Sequence, residues 1–141
     1  MKVSDILQKK GSYLFSVTSN ATVLDALKLM SEKNIGALPV IDDGTLTGIL
    51  SERDYARKII LKGKASHDTP VGEIMTENPF TISPDNTIEN CMAIMSERHF
   101  RHLPVMKENV VVGMISIGDV VTAIINSQKE IIDHLHNYIA Q

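Results

Sequence analysis

The amino-acid sequence predicts an α+β chain made of two copies of one small unit, closed by a C-terminal helix. Three observations predict it. Moving residues 16–60 forward by 65 positions lays them on 81–125 without a gap. Thr22, Met30, Ser31, Glu32, Leu38, Pro39, Val40, Gly48, Ser51, Asp54, Ile59 and Ile60 then meet identical residues. Each copy also carries one phrase: Leu-Pro-Val, a glycine, then Ser-x-x-Asp. It reads Leu38-Pro39-Val40, Gly48 and Ser51-Glu52-Arg53-Asp54 in the first copy, and Leu103-Pro104-Val105, Gly113 and Ser116-Ile117-Gly118-Asp119 in the second. Finally, apolar residues switch between strand-like runs and helical stripes at matching places in the two copies. A repeat of this kind governs the architecture, because each copy must be the same supersecondary unit.

Each unit is expected to hold a three-stranded, partly mixed sheet with two helices against one face. The elements follow in order. Val3, Ile6 and Leu7 fall at helical spacing, and Val71-Gly72-Glu73-Ile74-Met75 repeats them. Short strands should follow around residues 16–18 and 81–83. The turn after the second is clearest in Ser83-Pro84-Asp85-Asn86. Thr22 and Thr87 are candidate N-caps of the next helix. Its buried stripe is Val23, Ala26, Leu27 and Met30, matched by Ile88, Cys91, Met92 and Met95. Pro39 and Pro104, inside apolar runs, mean that their strands begin there or lie on an edge. Asp42-Asp43-Gly44 and Lys107-Glu108-Asn109 are the hairpin turns, with Asn109 suited to a left-handed conformation. Returning strands over 46–50 and 111–115 lead to helices that start at Ser51 and Ser116. These run through Ile60 and Ile125.

The repeats are placed at 3–62 and 71–126, with a polar linker at 63–70 and a separate C-terminal helix at 127–141. That helix carries one apolar stripe of Ile131, Leu135 and Tyr138 or Ile139, which needs a partner surface in the same chain or a second one. Units this small are expected to share one core. The copies should pack sheet to sheet about a pseudo-two-fold axis, leaving two related clefts.

Composition narrows the function. At 43% hydrophobic and 22% charged the chain is globular in type, and a net charge of −3 argues against a nucleic-acid footprint. No apolar run approaches the ~20 residues that span a bilayer, so no membrane role is expected. MKVSDILQKK has no apolar secretory core. One cysteine allows no internal disulfide, and Cys91, at the position of Ala26, reads as a buried thiol in a reducing compartment. The expected location is cytoplasmic. No Cys/His cluster, phosphate-binding glycine loop or catalytic constellation stands out. His134 and His136, two apart on a helix, make a poor metal pair. No enzyme activity and no metal are expected.

On local sequence alone Ser-x-x-Asp is a helix-start device that stabilises the first turn by about 1 kcal/mol. The repeated phrase also resembles a known family. Over residues 3–126 the chain is similar to a stand-alone pair of CBS domains, the module named after cystathionine β-synthase and paired as a Bateman module. The resemblance implies a regulatory adenine-nucleotide sensor. Its ligand would be AMP, ADP, ATP or NAD, with Asp54 or Asp119 on the ribose hydroxyls and Ser51 or Ser116 beside it. It implies phosphate contacts from Arg53, Arg101 and His102, and an apolar sandwich for adenine around Val17, Ile35 and Ile117. The first copy departs from the pattern just before Leu-Pro-Val, with Gly36 and Ala37 where the second has Arg101 and His102. S-adenosylmethionine suits the Arg101-His102 pair less well than an anion does. The resemblance further implies a homodimer and a regulated partner protein. The alternative is a dimerising scaffold whose pockets are empty and whose Ser-x-x-Asp only caps helices.

Overall fold

The computed structural model describes residues 1–11 and 14–140. The chain runs through α1 (Val3–Lys10), α2 (Val23–Lys33), β1 (Ala37–Asp42), β2 (Thr45–Ser51) and α3 (Glu52–Tyr55), the last continuing as a π-helical turn (Ala56–Ile60). It then forms α4 (Val71–Ile74), β3 (Thr76–Glu77), α5 (Ile88–Arg98), β4 (His102–Lys107), β5 (Val110–Ser116) and α6 (Ile117–Ala140).

Local chemistry explains most of these boundaries. The Thr22 and Thr87 hydroxyls accept from the N–H groups of Asp25 and Asn90, each at 3.1 Å, and so start α2 and α5. The two hairpins close through Asp42↔Thr45 and Lys107↔Val110. That leaves the two-residue loops Asp43-Gly44 and Glu108-Asn109, all four residues at positive φ. Such turns match the twist of the flanking strands.

Pro39 and Pro104 lie inside β1 and β4 and do not begin them. The carbonyl of Pro39 accepts from Val17 N–H at 3.2 Å, and that of Pro104 from Ile82 N–H at 3.0 Å. Each proline therefore turns its backbone away from the hairpin partner. On that outer side the third strand of the unit is reduced to one parallel bridge, Val17↔Val40 or Ile82↔Val105, and no proline N–H is needed.

The expectation of one shared core is corrected. Buried side chains form two clusters, and each is completed by a helix from the other copy. Val3 and Ile6 of α1 join Ile82, Ile88, Leu103 and Ile115, whereas Val71 and Ile74 of α4 join Val23, Leu38, Leu50 and Ile59. Backbone bonds fix the exchange. Met1 O accepts from Ile88 N–H at the start of α5, and Thr69 O accepts from Val23 N–H at the start of α2. These carbonyls satisfy helix-start donors that would otherwise lack partners. The end of the 63–70 segment is thus tied down, with Thr69 buried. Gly48 and Gly113 sit where the exchanged segments cross β2 and β5. At Gly48 a Cβ would lie 2.8 Å from the backbone Thr76 O, so the crossing there needs glycine; at Gly113 it would lie 2.5 Å from Leu7 Cδ2, a side-chain end that would have to turn aside.

The C-terminal helix is present but not separate. α6 continues unbroken from Ile117 to Ala140, through the break expected at 126/127. Asn126 and Ser127 are polar there without being helix breakers, and no proline or glycine follows Gly118. Residues 128–140 are exposed throughout, and Gln141 lies outside the described residues.

Candidate functional site

The copies meet along β2 and β5, and a cavity of about 600 Å³ opens at one end of that seam. Its floor is the phrase of the first copy, and its opposite wall belongs to the second. Glu52 N–H donates to Gly36 O at 3.1 Å, which anchors the start of α3 beside the strand entrance and presents Arg53. The π-helical turn that follows carries Arg57 and Lys58, and widened turns of this type recur at functional sites. From the second copy come Phe80, Arg98, Phe100, Arg101 and His102.

Asp54 forms the deepest polar point of this cavity at 8% exposure. Its Oδ2 accepts from the Ser51 N–H and hydroxyl, both at 3.0 Å. Its Oδ1 accepts from the Thr76 hydroxyl at 3.2 Å and pairs with Lys58 Nζ at 3.2 Å. Lys58 also donates to Ile74 O at 2.9 Å, holding α4 against the site. The capping box is therefore fully formed. Arg53, Arg57 and Arg101 differ: among the described residues none of them has an ion pair. They are exposed around the mouth, while Arg98 stacks over Phe80 at 4.7 Å from the ring centroid.

A smaller cavity of about 180 Å³ lies at the second phrase, lined by Asp119 with Met1, Ile6, Lys9, Lys10, Thr122, Ala123 and Asn126. Asp119 Oδ2 accepts from Lys10 Nζ at 2.8 Å and from Ser116 N–H at 2.9 Å, and the Ser116 hydroxyl accepts from Asp119 N–H at 3.1 Å. Burial alone would raise the Asp119 pKa. The Lys10 and Ser116 hydrogen bonds outweigh it and hold the carboxyl below its ordinary value.

Of the residues singled out in the sequence, Ser51, Arg53, Asp54, Arg101 and His102 line the large cavity, and Asp119 lines the small one. Ser116 caps α6 without lining either. Val17, Ile35 and Ile117, the adenine walls that the resemblance implies, line neither of these two cavities. Val17 and Ile35 are half-buried against the first core, and Ile117 is exposed at the start of α6. The apolar walls are Phe80 and Phe100, whose ring centroids are 6.4 Å apart. They occupy the second copy's counterparts of Phe15 and Ile35. The sequence signal for them was one aromatic residue just before the short strand at 81–83 and another two places before β4.

His102 spans the two regions. It lines the large cavity and leans across to Gly36, where a Cβ would lie 3.5 Å from His102 Nε2. Burial pushes its pKa below the ordinary imidazole value. The nearby Asp119 opposes the shift, and Lys10 and Arg101 reinforce it. His102 therefore carries less charge near neutral pH than an ordinary imidazole would. The unfolded chain protonates His102 first, so the folded state binds fewer protons as pH falls below about 6.5. Stability should be full above that pH and decline towards the folded pKa. Melting temperature followed from pH 8 to 5 should show this decline flattened in His102→Asn; an unchanged slope would remove His102 as its source.

Comparisons with known proteins point to one family. The family model described as the CBS domain matches residues 3–61 and again 71–126. The CBS domain-containing protein CBSX3, mitochondrial, of Arabidopsis thaliana is 42% identical over 147 residues, covering 97% of this chain and 71% of its own. The crystal structure of the CBS domain NE2398 superposes with a TM-score of 0.85 at 42% identity, covering 89% of this chain and 98% of that one. The CBS domain pair of protein MJ0100, in complex with 5′-methylthioadenosine and S-adenosyl-L-methionine, superposes with a TM-score of 0.80 at 27% identity. It covers 90% of this chain and 98% of its own.

Proposed function

The chain belongs to the CBS-domain family, and from that premise we propose that it is a non-catalytic sensor of phosphate-bearing adenosine ligands. AMP, ADP, ATP or NAD would bind in the large cavity. The observation that carries this reading is the cluster of Arg53, Arg57 and Arg101 around one cavity, none of them in an ion pair among the described residues, in a chain of net charge −3. Like charges gathered in this way repel one another unless an anion occupies the space between them. An arginine fork suits phosphate. Phe80 and Phe100 offer faces for a base, and Asp54, once Lys58 moves to the phosphates, accepts from vicinal ribose hydroxyls. His102 supplies a neutral hydrogen bond. The volume of about 600 Å³ falls in the usual range for small-molecule sites.

In this reading a homodimer passes the ligand's effect to a regulated protein. Supporting the dimer is the apolar row on α6, where Ile131, Leu135 and Ile139 are each more than half exposed. One observation favours the scaffold alternative: both capping boxes are complete without a ligand. A thermal-shift series with AMP, ADP, ATP, NAD, S-adenosylmethionine and adenosine separates the two. A phosphate-bearing ligand at 100 times its dissociation constant should add about 2.7 kcal/mol, a rise of several degrees. Adenosine and S-adenosylmethionine should do less. If none of the six raises the melting temperature, the scaffold reading stands.

A further inference from the structure

The two phrases match residue for residue, yet their surroundings do not. Three cations stand on the helix of the first phrase: Arg53, Arg57 and Lys58. Sixty-five positions on, their counterparts are Gly118, Thr122 and Ala123, so the second helix contributes none. The cations of the second copy do not compensate, because Arg98 and Arg101 line the large cavity. Only Lys9 and Lys10 remain in the small one.

Lys10 is already engaged. Its ammonium donates to Asp119 Oδ2 at 2.8 Å and to Met114 O at 2.9 Å, bridging the end of α1 to both β5 and α6. In the other copy the α4 segment corresponds to α1 with an offset of 68, and the residue in the place of Lys10 is Asn78. Asp54 also carries a lysine, Lys58, but that lysine comes from its own helix, four residues on. Three unpaired arginines stand ready there to attract an anion that draws Lys58 away. At Asp119 the cavity lining offers Lys9 alone and no arginine. The cavity of about 180 Å³ is also below the ~300 Å³ at which small-molecule sites usually begin.

We propose that Lys10 is the resident occupant of the second cleft: it fills the place at Asp119 from within, so that the chain holds one nucleotide site and not two. Lys10 thereby decides the stoichiometry, and the proposal rests on the reading of the large cavity as a nucleotide site.

Calorimetric titration with AMP tests the count. The native chain should take one AMP per chain. Asp54→Ala should weaken that binding at least tenfold, and Asp119→Ala should leave it in place. Two AMP per native chain would overturn the proposal, as would loss of the single site in Asp119→Ala. Lys10→Ala addresses the lysine itself, with adenosine as the probe because the freed cleft keeps Lys9 as its one lining cation and has no arginine. This variant should take up one more adenosine than the native chain, lost again in Lys10→Ala/Asp119→Ala. An unchanged count would overturn the role of Lys10. Absence of AMP binding to the native chain would instead remove the reading of the large cavity. The adenosine gained or not gained by Lys10→Ala would then support or overturn the latch separately.

Discussion

A chain lacking residues 1–10 should lose the structure of its second copy and keep that of its first. In chain order this is paradoxical, since the deleted segment leads the first copy. The packing requires it. Val3 is 0% and Ile6 6% exposed, both within the cluster of Ile82, Ile88, Leu103 and Ile115. Burial of two such side chains stabilises by about 3–6 kcal/mol at roughly 1.5–3 kcal/mol each. That is comparable with the whole stability of an ordinary domain, about 5–15 kcal/mol. The deletion also strips Ile88 N–H of Met1 O and removes the Val3 N–H bond to Asn86 O. Amide hydrogen exchange gives the check. Peptides from β4 and β5 should exchange nearly as in an unfolded chain, while those from β1 and β2 stay protected under α4. Loss of protection in β1 and β2 first would show that α1 supports the wrong copy for this account.

This exchange of helices marks where legibility in the sequence ended. The repeat was readable because the identical positions govern the backbone: Thr22 and Thr87 as caps, Gly48 and Gly113 at close crossings, Ser51 and Ser116 at helix starts. Such positions act locally and need no knowledge of the partner. Val3, Ile6 and Leu7 say that one helical face is buried but not against which copy, because both copies present equivalent apolar surfaces. The unbroken α6 has a similar origin. Residues 126–130 are polar, which reads as a boundary in a linear scan but is only the exposed surface of a projecting helix.

The site divides along the same line. Ser51, Arg53, Asp54, Arg101 and His102 are tied to the repeated phrase, and the structure brings all five to one cavity. Val17 and Ile35, which the resemblance implied as adenine walls, pack against the first core, and Ile117 is exposed. Across the seam the first phrase faces the strand entrance of the second copy, so Phe80 and Phe100 form the apolar wall opposite Asp54. The charge of His102 was unreadable for another reason. It is buried beside Gly36, a residue 66 positions away in the other copy.

Replacing Arg53 and Arg101 together with alanine should weaken AMP binding by about 10²–10⁴-fold. Each replacement removes a charge-assisted contact of about 1.5–3 kcal/mol, and the two arginines approach the ligand from different copies. Neither has an ion pair among the described residues, so the fold should lose little, within about 0.5 kcal/mol for each exposed position. Relief of their repulsion from Arg57 acts in the opposite direction. Affinity for adenosine, which carries no phosphate, should barely change. Calorimetry with AMP and adenosine on native and doubly substituted chains makes the comparison, at low and at moderate salt. In the native chain AMP affinity should fall as salt rises, and this dependence should shrink once the two cations are gone. If AMP and adenosine weaken together, the arginines shape the cavity and do not hold phosphate. An anion-binding role for the cluster would then have no support, however well the remaining walls fit a base.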